Sequence, residues 1–273
     1  WALPDVSGRQ FEFVRESVLE LKAALAGIGA TLVIRTGPAV QVLEDIRDAT
    51  GATRLISHEE TGCRWTYDRD LAVKDWAAAQ GVTWEEYAIS GVTRRLATRD
   101  TWAKGRNAFL RKSILPAPSA VPGPALASDD IPNLTAPDHC PERQIGGRSE
   151  ALQLLDSFLN ARGKTYRSAM SSPVTGESAC SRLSPHLAFG TVSGREVSQA
   201  TADRQRAVKG TREGWGGSLK SYQARLAWRD HFMQKLEDEP TLEFHALHSA
   251  YENIRPKTPD AARLAAWENG DTG

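Results

Sequence analysis

The sequence predicts an α/β half built on a parallel sheet, followed by an all-α half. Three observations predict it. Short apolar runs alternate with amphipathic helical stretches as far as Tyr87, helical periodicity without a convincing strand fills the chain from Ser149, and residues 116–141 between them are rich in Pro, Ser, Ala and Asp with no period. The expected divisions are 1–115, a linker at 116–148, and 149–273, and 273 residues are enough to bury two cores.

In the first half, Val14, Val18, Leu21 and Leu25 keep the three-to-four spacing of a helix over 11–27, stopped by Gly27 and Gly29. Residues 30–34, Ala-Thr-Leu-Val-Ile, are a short apolar run rich in β-branched side chains and are expected to form a strand buried on both faces. A helix over 38–50 follows through Val42, Leu43 and Ile46, with Pro38 near its first turn and Gly51 after it. The pattern repeats as strand 54–57, helix 64–80 and strand 82–87, which makes βαβ units with right-handed crossovers. In the second half, Leu152, Leu155 and Leu159 stripe a helix over 149–162 with Ser149 as its expected N-cap. Ser184 and Pro185 begin a short helix with a capping hydroxyl, and Ser193 with Glu196 forms a capping box that opens another.

Charge selects no partner, since 34 Lys and Arg balance 34 Asp and Glu. Cys63, Cys140 and Cys180 are too scattered for a disulfide framework or a zinc site and fit a reducing, cytoplasmic setting. No run approaches the ~20 apolar residues of a membrane span, so no membrane partner is expected. GxGxxG, GxxxxGK[ST] and GxSxG are absent, which removes the usual dinucleotide turn, the triphosphate loop and the hydrolase nucleophile elbow. His186 and His231 stand at no metal-ligand spacing and read as packing or surface residues. Residues 92–112 gather Arg94, Arg95, Arg99, Lys104, Arg106, Arg111 and Lys112 around Trp102 and Phe109; such a run either follows a phosphate backbone or is a solvated helix face.

The densest set of ligand-type groups is Cys180-Ser181-Arg182-Leu183-Ser184. Hydroxyls, backbone amides ahead of Pro185 and a fixed cation meet where a helix begins, a set suited to an anion. The helix expected over 218–235 lines up Leu219, Tyr222, Leu226, Met233 and Leu236 as a core-facing stripe that also carries Arg225 and Arg229. Two readings stand for those cations: stems along apolar surface with heads in water, or a paired grip on a buried polyanion such as a pyrophosphate. Trp228 at the edge of the stripe is either a pocket wall or a core residue.

Tyr166, the 180–184 segment, Leu187-Ala188-Phe189-Gly190-Thr191-Val192-Ser193, Leu226-Ala227-Trp228-Arg229-Asp230 and Trp267-Glu268-Asn269-Gly270-Asp271-Thr272-Gly273 follow one another in the order of the motifs of the photolyase/cryptochrome family. The chain resembles that family over nearly its whole length. The resemblance implies a Rossmann-like αβα N-terminal domain and a helical FAD-binding domain, both incomplete: the chain is expected to be a fragment lacking the start of the first and the C-terminal half of the second. By the same resemblance Tyr166, Cys180, Ser181, Arg182, Leu183, Ser184, Tyr222, Arg225 and Arg229 line FAD and its phosphates, and Trp228 meets the DNA lesion. The implied activity is light-driven splitting of cyclobutane pyrimidine dimers in damaged DNA by electron transfer from reduced FAD, performed by a monomer, with no catalytic side chain assignable in this stretch. An antenna chromophore, a folate or a deazaflavin, is implied without being identified. Arg225 stands where repair enzymes of the family usually carry Glu or Gln, and Met170 where they carry Arg. These two positions keep open the alternative of a cryptochrome-type blue-light receptor without repair activity.

Overall fold

The structure, a computed structural model, describes residues 3, 6–123, 126–133, 140 and 142–272. The first helix, α1 (Gly8–Ala26), starts earlier than its apolar period because the Ser7 amide donates to Gln10 Oε1 at 2.6 Å, closing the turn in front of Phe11. Next comes α2 (Ala39–Thr50), ended by Gly51 at φ 69°. Strands β1 (Arg54–His58) and β2 (Thr83–Tyr87) pair in parallel, in register from Arg54 opposite Thr83 to His58 opposite Tyr87, and α3 (Arg64–Ala79) is the crossover between them. The expected βαβ unit is present.

The third expected strand is not. Residues 30–34 pair with neither strand, and the sheet among the described residues has two strands. A strand needs a ladder partner as well as an apolar sequence. Here the linker takes that place: Val121 donates to the Ile28 carbonyl and Asp129 to that of Ile34, each at 3.0 Å, while the Ile34 amide turns to Ser128 Oγ at 2.9 Å. The linker thus runs extended along the first half, as its composition predicts; its residues 124–125, 134–139 and 141 lie outside the described ones.

After α4 (Trp102–Leu110), the second half is helical: α5 (Arg148–Asn160), α6 (Tyr166–Ala169), α7 (Pro173–Ala179), α8 (Ser184–Ala188), α9 (Gly194–Ala207), α10 (Trp215–Asp238) and α11 (Ala261–Asn269). Its core joins Phe158, Leu183, Val197, Leu219 and Tyr222. Phe158 and Leu219 are fully buried, a contribution of about 1.5–3 kcal/mol each by transfer from water. The capping box forms as expected, with Ser193 Oγ accepting from the Glu196 amide at 3.1 Å and Glu196 Oε2 from the Ser193 amide at 2.9 Å. Among the described residues no helix is long and apolar enough to cross a membrane.

Two junctions hold the halves together. At the first, α1 lies across the start of α5. Ser149 is not the cap of α5; Gly147 is, and α1 supplies the acceptors instead, with Glu16 Oε2 taking the Gly146 amide at 2.7 Å, Ser17 Oγ that of Gly147 at 2.9 Å and Glu20 Oε1 that of Ser149 at 2.9 Å. Gly146 permits this approach, since a Cβ there would sit 2.0 Å from the Phe13 carbonyl oxygen. At the second junction, Arg106 Nε on α4 donates to Asp230 Oδ2 on α10 at 2.7 Å, both side chains 8% exposed. Gln234, fully buried, accepts from the Thr93 amide at 2.7 Å and donates to the Thr93 carbonyl at 2.9 Å.

The buried stripe of α10 differs accordingly from the expected one. It runs Leu219, Tyr222, Leu226, Asp230, Gln234, while Met233 and Leu236 are half-buried, Arg225 is exposed and Arg229 half-buried. Two polar residues occupy the stripe because the other half of the molecule provides their partners. Part of the basic run is paired internally: Arg99 bonds Asp238 at 2.7 Å and Arg106 is the buried partner of Asp230, both across the halves, and Arg94 bonds Glu86 at 2.8 Å within the first. The other four cations, Arg95, Lys104, Arg111 and Lys112, are exposed.

Candidate functional site

Tyr166, Tyr222, the 180–184 segment and Arg225 come together at one place. Tyr166 begins α6 and Tyr222 lies on α10; their rings meet edge to face at 5.7 Å, and each packs against Phe158, at 5.5 and 4.6 Å. Burial pushes the Tyr222 phenol up to about 12, and burial also raises Tyr166, with the nearby Arg225 guanidinium pulling it partly back. The buried Tyr222 hydroxyl interacts with the Ser181 side chain, with no hydrogen bond of regular geometry among the described residues.

The 180–184 segment links α7 to α8. Leu183 anchors it as a fully buried core residue, while Arg182 and Ser184 are exposed. Arg182 has φ 60°, a left-handed backbone that a residue with a Cβ adopts at a cost of about 1 kcal/mol or more. The expected helix-start arrangement is only partly met: α8 begins at Ser184 with Leu183 as N-cap, the Ser184 hydroxyl makes no capping bond, and five residues are too few for a useful helix dipole. An anion held here would have to be met by the loop itself rather than by a helix dipole.

Arg225 and Arg229 do not act as a pair. Arg225 stacks over the Trp228 ring at 4.5 Å, and Trp228 is 55% exposed, which makes it neither a core residue nor a closed pocket wall. Arg229 turns away and donates to the Leu187 carbonyl at 2.9 Å. It lines a cleft of about 770 Å³ that lies beyond the C-terminal ends of β1 and β2, with His58, Glu59, Tyr87, Arg195 and Asp230. Tyr166, Tyr222 and Arg225 do not line that cleft.

His186 is fully buried, its Nδ1 2.8 Å from Thr191 Oγ1 and its ring edge against Phe13 at 4.9 Å; burial pushes its pKa below the ordinary value. His231 is exposed beside Trp102 and Arg99. Both are packing or surface residues, as their spacing implies.

Sequence reasoning missed Arg162 and Gln144. Arg162 follows α5 and bonds the carbonyls of Cys180 and Ser181, and Gln144 Nε2 bonds the carbonyl of Arg182. The available signal was an arginine just past a helix end, where carbonyls collect; nothing local pointed across to residue 180.

A family model described as DNA photolyase matches residues 1–94, and one described as FAD binding domain of DNA photolyase matches residues 222–273. With the parallel βαβ unit, the helical half and the tyrosine cluster, they set the class: the chain belongs to the DNA photolyase/cryptochrome family. Among individual relatives, the deoxyribodipyrimidine photo-lyase of Streptomyces griseus is 28% identical over 278 aligned positions, covering 96% of this chain and 57% of that protein. The fold is that of a bacterial class III photolyase from Agrobacterium tumefaciens, with a TM-score of 0.77 at 22% identity, covering 99% of this chain and 58% of that one. It is equally close to the Synechocystis sp. PCC6803 cryptochrome, with a TM-score of 0.77 at 21% identity over 98% of this chain and 58% of that one. The chain spans less than two thirds of each relative.

Proposed function

We infer that this chain belongs to a light-driven lyase that splits cyclobutane pyrimidine dimers in damaged DNA, acting as a monomer with reduced FAD. The observation that carries the reading is the convergence of the buried Tyr222 hydroxyl and Ser181 with the Arg225 charge and with the Ser181 and Arg182 amides, which donate to no acceptor among the described residues. Those groups suit a flavin nucleotide: Ser181, Arg182 and Ser184 for its phosphates, Cys180 and Leu183 as the fixed ends of the loop, Tyr166 and Tyr222 as rings and hydroxyls against it. When bound, reduced FAD supplies the light-excited electron that opens the dimer and then takes it back. The chain's own groups bind, orient and keep water away. Arg162 and Arg225 beside the cluster favour an anionic form of whatever it holds.

In the same reading Arg229 fixes α8 from below through Leu187, and Trp228 with its stacked Arg225 presents an exposed aromatic and cationic face to an unstacked base. The cleft at the strand ends has the volume of a small-ligand site and suits an antenna chromophore of folate or deazaflavin class. Residues 1–115 and 149–273 are read as two domains joined by 116–148 and docked through the two junctions described above.

One observation favours a second reading, a blue-light receptor of the cryptochrome type. Arg225 is tied to Trp228 at 4.5 Å, so a stacked cation stands at the position where a repair enzyme of the family would carry a lesion-contacting acid or amide. Illumination of the intact protein, loaded with FAD, in the presence of dimer-containing DNA separates the two. Loss of dimers with light is expected. Unchanged dimer content alongside normal flavin photoreduction overturns repair and leaves the receptor.

A further inference from the structure

We propose that Arg162 is the positioning residue of the anion loop: it fixes the 180–184 backbone in the shape that turns its amides toward a phosphate. The inference rests on the flavin reading above and extends it to a residue that touches no ligand.

Arg162 opens the short turn Arg162–Thr165 between α5 and α6. Its Nη1 donates to the Cys180 carbonyl, its Nη2 to those of Ser181 at 2.7 Å and Leu154 at 2.9 Å, and its Nε to Ser157 Oγ at 2.9 Å. Four of the five N–H groups of a guanidinium are thereby used, in the rigid fork that only arginine has. The plane also lies over the Phe158 ring, 5.6 Å from its centre, which ties it to the same ring that supports Tyr166 and Tyr222. Arg162 makes no ion pair among the described residues, so its charge stays uncompensated beside the loop.

The direction of the amides follows from peptide geometry. In a planar trans peptide the N–H of one residue points opposite to the preceding C=O. With the Cys180 and Ser181 carbonyls held on Arg162, the amides of Ser181 and Arg182 face the other way, and they donate to no acceptor among the described residues. Gln144 holds the next carbonyl, that of Arg182, from a second direction. Arg182 at φ 60° is followed by Leu183 at φ −89° and ψ 1°, an alternation of hand that gathers successive amides into an anion-binding concavity. A left-handed arginine persists only where its surroundings over-determine it. Three consecutive carbonyls pinned by Arg162 and Gln144 do so.

The test compares FAD with riboflavin, which has the same ring system and no phosphate, by flavin-fluorescence titration of the intact protein. Arg162→Lys keeps the charge but cannot hold the fork; its dissociation constant for FAD is expected to rise roughly tenfold while that for riboflavin stays within about twofold. Gln144→Ala, at an exposed bond, should show the same selectivity at smaller size, and serves if Arg162→Lys does not fold. Equal weakening of both ligands means a merely structural arginine and overturns the inference, as does wild-type FAD affinity in both variants. Failure of the unaltered protein to bind FAD overturns the flavin reading itself, and the inference with it.

Discussion

Arg94, Arg99 and Arg106 each end on a carboxylate, whereas Arg162 ends on carbonyl oxygens and Arg225 on an indole ring. In sequence, residues 92–112 are the more basic stretch and the natural candidate for a polyanion. In the fold Arg99 and Arg106 are spent on joining the halves and Arg94 on Glu86, while Arg162 and Arg225 near the 180–184 loop make no ion pair among the described residues. What attracts a polyanion is the charge left after internal pairing, and a residue count does not report it.

The comparison breaks most visibly at Arg106. Arg106→Met leaves the buried Asp230 carboxylate with only the longer 3.5 Å contact to Arg229, which should cost up to about 3–5 kcal/mol in urea-unfolding free energy; adding Asp230→Leu should recover most of that loss. If the single variant were as stable as the unaltered chain, the run would not be the structural element described above. In the ligand region, His186 gives a smaller effect of defined sign. Burial holds its folded pKa below the ordinary 6.5, so the unfolded chain takes up the proton first as pH falls. The stability it contributes is complete above 6.5 and is lost as pH drops toward the folded value. Unfolding midpoints measured at about pH 7.5 and about pH 5.5 should therefore fall with acid, and His186→Gln should flatten the difference. The smallest effect belongs to Arg99, a partly exposed partner of Asp238, whose replacement by Ala should cost only about 0.2–1 kcal/mol and less in high salt.

How much of this was legible depended on the range of the interaction. Ser193 with Glu196, the stop at Gly51 and the βαβ unit of 54–87 were all readable because donor and acceptor, or apolar period and turn residue, lie within a few positions of each other. The N-terminus of α5 was not, because its acceptors belong to α1, 129 residues or more away in sequence. The strand expected at 30–34 failed for the same kind of reason, since its hydrogen bonds went to the linker. Tyr166, Tyr222 and the 180–184 segment were singled out by type and order, and the fold brings them together, while the bond of Arg229 to Leu187 and those of Arg162 to the Cys180 and Ser181 carbonyls were not legible.

The sequence by itself determined the helices, the parallel crossover, and the family motifs from Tyr166 to Asp230, since periodicity, caps and motif order are local properties. Only the tertiary structure decided which guanidiniums are neutralised, which carbonyls Arg162 holds, and that the Tyr222 hydroxyl is buried beside Ser181. The physical reason is that hydrogen bonds and ion pairs are satisfied by whatever lies within about 3 Å, and proximity on that scale is set by packing between distant segments.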